Sequence, residues 1–291
     1  MTAPDVVVLG APHPELAAVA RQLERWGLPA GRWSIGAGDG RCGETQPLAW
    51  ENDRLLHWLD ASWACPLPAP HPLALEPLLD AAGPRSARVL RRCHRPGGWF
   101  WADARLGALL PYWEAVIGRR LPAVLVVCGP AAGVRALRSE GLDVQEALDL
   151  WQVTLRSAIE ALDGREVLVV PLGQDADESP TLGAELASWL GAQSSQPELA
   201  DAPSSVEEPG GRDDLAVGES AADLAALVAG WSGPSKIRAD ELPPLDRALV
   251  DRLSLRRDRE RPVWERAMRA DARPATLLRR GLSVVPGRVR W

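Results

Sequence analysis

The stretch VVVLGAPHPELAAVARQLERWG, residues 6–27, decides the fold. An apolar, β-branched run is followed by a glycine, a short turn and a segment with the spacing of an amphipathic helix. In nucleotide-binding α/β proteins such a turn holds a phosphate with backbone N–H groups and a helix N-terminus. The turn here contains Pro12, Pro14 and Glu15. Proline donates no N–H and the carboxylate repels anions, so we predict that this turn caps its own helix.

The rest of the chain alternates between strand and helix patterns. Short β-branched runs predict buried strands at residues 123–127 and 166–170. Helical spacing is found at residues 14–26, 51–63, 73–81, 106–117, 131–139 and 144–162. Strands that alternate with helices indicate parallel pairing through crossover connections. The sequence therefore predicts an α/β domain built on a single doubly wound parallel sheet flanked by helices.

Two segments differ from the rest in composition. Residues 192–220 are rich in Ser, Pro, Gly and acidic residues, and we predict a flexible surface insertion there. Residues 252–291 hold 12 arginines against four acidic residues, in a chain with a net charge of −6. We therefore predict an α/β domain over residues 1–255 and an Arg-rich C-terminal extension over 256–291. The charge asymmetry favours docking of this extension on an acidic surface, either of the same chain or of a partner. A nucleic acid is the third alternative, which the acidic body of the chain disfavours.

The bulk composition is that of a soluble protein from a reducing compartment. Hydrophobic residues make up 46% of the 291 residues and charged residues 25%, which is ordinary for a globular protein. We recognise no signal peptide, no segment long enough to span a membrane and no CxxC pair, so we expect a cytoplasmic protein that does not enter membranes. The four cysteines and four histidines lack zinc-site spacing, and we expect no bound metal.

Four landmarks follow one another in a recognisable order. They are VVVLG with ARQLERWG, ENDRLL with SWACP, WADARLGALLPYW at residues 101–113, and VLVVCGPAAGVRAL at residues 124–137. Together they resemble the bacterial sulfotransferase family, from Val6 to about Leu255. The resemblance implies a P-loop-like fold and transfer of a sulfuryl group from 3′-phosphoadenosine 5′-phosphosulfate (PAPS) to a hydroxyl or amine.

The first family motif has lost most of its phosphate-binding residues. In the family, a strand followed by a glycine precedes a turn that reads H-R-S-G-T-S. The corresponding glycine in this chain is Gly10. His13 stands at the basic position, and Glu15 replaces the glycine. The resemblance therefore leaves Gly10 and His13 as vestigial cofactor-binding positions.

The second family motif has lost its lysine. Where the family has W-K-D-P-R, this chain has Ala102 in place of the lysine and Ala104 in place of the proline, while Asp103 and Arg105 remain. Arg105 is thus the cation that the resemblance assigns to the nucleotide in this motif. His13 and Asp103 are the weak catalytic candidates, and His94 is a second histidine that we expect near the cleft.

The third family motif has lost its arginine. Cys128 stands where an arginine binds the 3′-phosphate, and Ala136 stands where the family has a serine. Arg135 and Arg138 lie nearby on the same predicted helix and are the residues that compensate if PAPS still binds. Their other interpretation is as solvated helix arginines.

These substitutions lead to three hypotheses. The first is a pseudoenzyme that keeps the sulfotransferase scaffold and binds no cofactor. It would act by binding a protein partner, a second copy of the chain or another ligand, with the 13 tryptophans and the arginines as candidates for the contacts. The second is an active PAPS-dependent sulfotransferase that uses Arg105, Arg135 and Arg138. The third is a transferase with another donor, with His13 and Asp103 in the cleft. A nucleic-acid partner is not expected, because the body of the chain is acidic.

Overall fold

The computed structural model describes residues 6–10, 13–25, 27–32, 34, 44–66, 75–172, 188–189 and 218–271. Five strands form one sheet in the order β2-β1-β3-β4-β5. The strands are β1 (Val6–Leu9), β2 (Phe100–Ala102), β3 (Ala123–Cys128), β4 (Glu166–Leu172) and β5 (Gly233–Lys236). The first four strands pair with one another in parallel, with Val8 of β1 aligned with Ala102 on one side and Val124 on the other.

The predicted α/β architecture is confirmed, with one correction. β5 pairs antiparallel with β4, Glu166 opposite Lys236, so the expectation of a wholly parallel sheet is wrong at this edge. Eight helices flank the sheet in the described ranges. They are α1 (His13–Arg25), α2 (Gln46–Trp58), α3 (Leu75–Cys93), α4 (Leu106–Ile117), α5 (Pro130–Ser139), α6 (Val144–Ala161), α7 (Glu219–Ala229) and α8 (Arg247–Asp271), with a short 3-10 helix at Ala239–Glu241. None of these helices combines the length and the apolar character needed to cross a membrane.

Helix α6 is the central helix of the side that carries the candidate site. It begins at a capping box, in which the Asp143 carboxylate accepts a hydrogen bond from the Glu146 backbone N–H at 2.8 Å. Buried residues occupy most of its length, because α4 and α5 both pack against it. The indole of Trp151 on α6 donates to the Cys128 carbonyl at 3.1 Å and so ties α6 to the end of β3.

The arginine-rich segment docks on the body of the same chain. α8 runs without interruption across the predicted boundary at residue 255. Arg252 forms two 2.7 Å hydrogen bonds with Asp149 of α6, and Arg261 pairs with Asp60 after α2. Leu249 and Leu253 bury their side chains against α6 and the segment that follows α2. The described residues do not include 272–291 of the extension or 192–217 of the predicted insertion. The last two positions of the predicted insertion, 219 and 220, are the first two residues of α7.

Two glycines fix the spacing of the helices around α6. A Cβ at Gly107 of α4 would lie 2.9 Å from the backbone nitrogen of Ala158, and a Cβ at Gly133 of α5 would lie only 2.2 Å from the Trp151 ring. Real Cβ atoms do not come this close to other atoms, so any larger residue moves α4 or α5 away from α6.

Gly133→Ala is expected to destabilise the fold by about 1–3 kcal/mol, because the overpacking against Trp151 exceeds the gain in helix propensity. Gly230→Ala is the matched control, since Gly230 ends α7 with a negative φ and nothing lies within 4 Å of its Cβ position. Urea unfolding of both variants measures the difference. Equal stability of Gly133→Ala and wild type would contradict the close contact between α5 and Trp151.

Candidate functional site

The carboxyl ends of β1, β2 and β3 form the edge at which a ligand site is expected. The chain crosses from one side of β1 to the other between β2 and β3, and such a switch point opens a crevice outside the carboxyl ends of the strands. Gly10 follows β1 with φ +114°, and a Cβ there would lie 2.5 Å from the Val126 carbonyl oxygen. Glycine is required at this position because the turn leaves β1 in direct contact with β3.

Arg105 is buried at this edge among three carboxylates. Its Nε lies 2.8 Å from Asp103 Oδ1, its Nη1 lies 2.7 Å from Asp53 Oδ1, and its Nη2 pairs with Glu44. Only 3% of the Arg105 side chain is exposed. Four groups from three separate segments therefore form one buried ionic cluster, which we call the Arg105 cluster.

Asp103 holds this cluster together. Its Oδ1 accepts hydrogen bonds from the backbone N–H and the Nε of Arg105, at 2.9 and 2.8 Å. Its Oδ2 accepts one from the amide of Asn52 at 2.9 Å, and the indole of Trp113 in turn donates to the Asn52 oxygen at 2.7 Å. Asp103 has no exposed surface. Each of its oxygens is thus committed to a structural contact and faces protein instead of solvent.

A second polar network lies on the other side of α2. Burial by itself raises the pKa of the Glu51 carboxyl, but hydrogen bonds from Arg54 and Ser86 and the charges of Arg54 and Arg85 outweigh it, so the pKa of Glu51 is lower than usual. The Tyr112 hydroxyl donates to Ser86 at 2.7 Å, and Ser86 donates to Glu51 at 2.7 Å. This network joins α2, α3 and α4 and keeps Glu51 charged in the interior.

A pocket opens beside the Arg105 cluster, between α2, α4, α5 and α6. Its empty volume is about 490 Å³ when the open mouth is included. Leu56, Leu137 and Leu150 contribute apolar wall from three of these helices, and Arg105 contributes to the wall at the beginning of α4. The pocket is therefore an apolar space that borders a charged cluster.

The other cofactor candidates do not join the Arg105 cluster. Arg135 and Arg138 lie on the exposed face of α5, because Val134 and Leu137 occupy its buried face. His13 is the first residue of α1, and its side chain lies outside the described part of the chain. Five positions are expected to contact the cofactor. Of these, Arg105 lies among the acidic groups, and Gly10 lies at the same edge of the sheet.

His94, which is expected near the cleft, and Lys236, which is not assigned to the site, lie at the opposite edge of the sheet. The His94 ring packs edge-on against Trp99 at 6.1 Å, and Trp99 immediately precedes β2. The single lysine, Lys236, pairs with Glu166 at the beginning of β4. Both residues thus lie at the amino ends of the parallel strands, whereas the Arg105 cluster follows a carboxyl end. The expectation that His94 lies near the cleft is wrong.

The described cysteines are buried thiols. Burial raises the pKa of Cys65 and of Cys93 to about 11, and the Cys65 thiol donates to the Leu253 carbonyl at 3.1 Å. Within the described ranges no group of three or more His, Cys, Asp or Glu is arranged to hold a metal. Cys42 and His71 lie outside these ranges.

Sequence reasoning missed three members of the site. Glu44 lies just before α2, and Asn52 and Asp53 lie within it. The segment that contains the last two, ENDRLL, was recognised as a landmark of the fold and not as a source of site residues. The sequence signal for these residues is the polar run at 51–54, directly before Leu55. It places amide and carboxylate groups beside a buried face of the helix.

No protein-family model matches the chain, and no curated protein or solved structure matches it. The resemblance to sulfotransferases consequently rests on the four sequence landmarks.

Arg105→Leu is expected to destabilise the fold by about 3–5 kcal/mol, because it removes the guanidinium that pairs with the buried carboxylates of Glu44 and Asp103 and with Asp53. Arg120→Leu, at an exposed position before β3, should change stability by less than about 0.5 kcal/mol. Chemical unfolding measures both. A loss in Arg105→Leu no larger than in Arg120→Leu would contradict the buried cluster.

His57 predicts a loss of stability on mild acidification. Burial lowers the pKa of His57 to about 4, and its ring stacks on Trp264 of α8 at 5.6 Å. Between pH 6.5 and 4 the unfolded chain binds a proton at this histidine and the folded chain does not, so stability falls by up to about 3 kcal/mol as the pH drops through this range. Above pH 6.5 the group has no effect.

The measurement is the free energy of unfolding of wild type and His57→Phe between pH 7 and 4. Phenylalanine keeps a ring against Trp264 and does not titrate, so the difference between the two proteins should grow as the pH falls. A constant difference across this range would show that His57 is protonated equally in the folded and unfolded states.

Proposed function

We propose that this chain is a sulfotransferase-like protein of the P-loop-like fold that has lost PAPS chemistry and acts by binding a partner or ligand. The observation that carries this proposal is the state of Arg105. The family resemblance assigns this arginine to the nucleotide, and in this chain three carboxylates surround it in the interior.

The electrostatics of the Arg105 cluster oppose an anionic cofactor. One guanidinium already pairs with three carboxylates, so a phosphate that approaches Arg105 also comes close to these acidic groups. Two like charges about 4 Å apart cost roughly 4 kcal/mol at the effective dielectric of a partly buried site. A micromolar ligand has only about 8 kcal/mol of binding free energy in total. The repulsion therefore removes about half of such an affinity before any contact is lost.

The placement of the other functional groups supports the same proposal. Sulfuryl transfer, like phosphoryl transfer, relies on positioned cations and on a base within reach of the acceptor. Asp103 is buried with both oxygens hydrogen-bonded, and His94 and Lys236 lie at the opposite edge of the sheet. Of the candidate residues that the structure describes, Arg105 is paired with carboxylates and Asp103 is buried, so neither is available as the cation or the base of sulfuryl transfer.

The scaffold itself supports the fold part of the proposal. A glycine turn leads from β1 into α1, and β1 lies between β2 and β3 at the switch point. This is where proteins with such sheets bind phosphate groups. The frame has therefore been kept while the groups that contact phosphate have been replaced.

Exposed tryptophans support a role in binding a protein partner or a second copy of the chain. Trp50 and Trp58 lie two turns apart on α2 and are 45% and 55% exposed. Trp101, Trp113 and Trp151, in contrast, are fully buried in the core. Exposed aromatic residues close together on one helix are typical of interface contacts.

Calorimetric titration of 3′-phosphoadenosine 5′-phosphate and of PAPS tests the proposal. Wild-type protein at low salt is expected to give no binding heat, because the Arg105 cluster repels both phosphates. The double variant Glu15→Gly, Ala102→Lys restores two family residues and is expected to acquire measurable affinity. Ser139→Ala, on the exposed end of α5, is a control that should behave as wild type.

Micromolar binding by the wild-type protein would overturn the loss of PAPS chemistry and favour an active sulfotransferase. A folded double variant that gains no affinity would contradict the alignment of the first two motifs with the sulfotransferase family.

A further inference from the structure

The pocket beside the Arg105 cluster exists because small residues occupy one of its walls. Ala104, in the turn before α4, and Ala108, in its first turn, both line the pocket. Their small side chains leave space at this wall. Across from them, Leu137 and Leu150 supply larger apolar side chains from α5 and α6. The space is thus an open gap between α2, α4, α5 and α6.

The walls of this pocket are held at a fixed separation. Gly107, between the two alanines, brings α4 into contact with the backbone of α6, and Gly133 brings α5 onto Trp151. These contacts keep α4, α5 and α6 from closing over the gap. On the remaining side, Trp63 and Pro66 flank Cys65, whose thiol donates to the Leu253 carbonyl of α8. The pocket is therefore formed before any ligand arrives.

Two hydroxyl groups in the pocket wall make no hydrogen bond within the described part of the chain. Thr154 and Ser157 lie three positions apart on α6 and both line the pocket. Each is largely buried, at 9% and 8% exposure. Neither hydroxyl oxygen is among the fully enclosed side-chain atoms that lack a hydrogen bond, so both remain accessible. In a ligand pocket a few polar groups of this kind fix the orientation of the bound molecule. The two hydroxyls are therefore placed to bond a polar group of a ligand.

The neighbouring charges select against anions. Arg105 contributes to the pocket wall, but its guanidinium already pairs with Glu44, Asp53 and Asp103. A carboxylate or phosphate in the pocket would lose its hydration in an apolar surrounding and would lie close to these carboxylates. An uncharged polar group meets no such penalty and can both donate to and accept from the two hydroxyls.

We propose that the pocket between α2, α4, α5 and α6 binds a small uncharged molecule, or the uncharged end of a larger one, with a compact aliphatic body and one hydroxyl or carbonyl group. The aliphatic body packs against Ala104, Ala108 and Leu150, and the polar group bonds to Thr154 and Ser157. This proposal gives a ligand class to the binding role proposed above, and it does not depend on whether PAPS binds.

The test uses three probes that share one aliphatic chain: 1-butanol, butanoate and n-butylammonium. Methyl-labelled, full-length protein is titrated with each probe, and the chemical shifts of the methyl groups of Leu56, Ala104, Ala108, Leu137 and Leu150 are followed. Butanol is expected to shift these signals saturably with a Kd on the order of millimolar, as befits a ligand of this size. Butanoate is expected to bind at least about tenfold more weakly, because its charge loses hydration in the apolar pocket and lies close to the carboxylates around Arg105.

Two variants separate the polar from the apolar contribution. Thr154→Val with Ser157→Ala keeps the shape of the pocket and removes both hydroxyls, and it should weaken butanol binding about fivefold to tenfold, the effect of one or two net hydrogen bonds. Ala108→Leu fills the gap and should abolish binding. Ser139→Ala, an exposed serine on α5, should leave the affinity unchanged.

Three results would overturn the proposal. They are the absence of saturable shifts in the wild-type protein, binding of butanoate as tight as that of butanol, and an unchanged butanol affinity in the variant without the hydroxyls. Titration of the same sample with nucleotide distinguishes failure of this proposal from failure of the proposed function. Absent butanol binding with absent nucleotide binding rejects only the pocket ligand, whereas butanol binding together with nucleotide binding rejects only the loss of PAPS chemistry.

Discussion

The ionic cluster around Arg105 is the constraint on which the candidate site depends. One guanidinium joins Glu44, which precedes α2, Asp53 within α2, and Asp103 after β2. The buried carboxylates of Glu44 and Asp103 require a cation beside them, because their desolvation would otherwise have no compensation. The side chain of Arg105 thereby fixes α2 against the carboxyl edge of the sheet. The same contacts occupy the donors of Arg105, so one set of ion pairs stabilises this edge and supports the proposed loss of PAPS binding.

The sheet could be predicted from the sequence where burial alone makes a strand. Runs of Val and Leu identify β1, β3 and β4, and these strands lie in the core. β2 has only three residues, and its pairing depends on β1 and not on a local pattern. β5 contains Gly233 and Pro234, which are typical of edges and turns, and it forms because β4 offers an open side. Strands defined by their neighbours leave little trace in their own residues.

The site could be predicted only in its local part. Asp103 and Arg105 are two positions apart after β2, so their contact is within reach of sequence reasoning. The approach of Asp53 to Arg105 spans 52 positions, and no local pattern indicates it. For α5 the pattern was sufficient: apolar Val134 and Leu137 turn Arg138 outward. The positive charge of the C-terminal segment likewise predicts docking on an acidic surface. The sequence does not show which acidic residues pair with its arginines, because these pairs depend on how α8 packs.

The pairing of Arg105 with carboxylates, which supports the proposed loss of PAPS chemistry, also sets the character of the neighbouring pocket. An enzyme that transfers a charged group needs cations directed at the ligand, and such cations make the adjoining space attractive to anions of every kind. With Arg105 paired to carboxylates, the same space has apolar walls and the hydroxyls of Thr154 and Ser157. Under the two proposals made above, selectivity in this pocket depends on the low polarity of the ligand. The same ion pairs then account both for the proposed loss of an anion site and for the proposed binding of uncharged molecules.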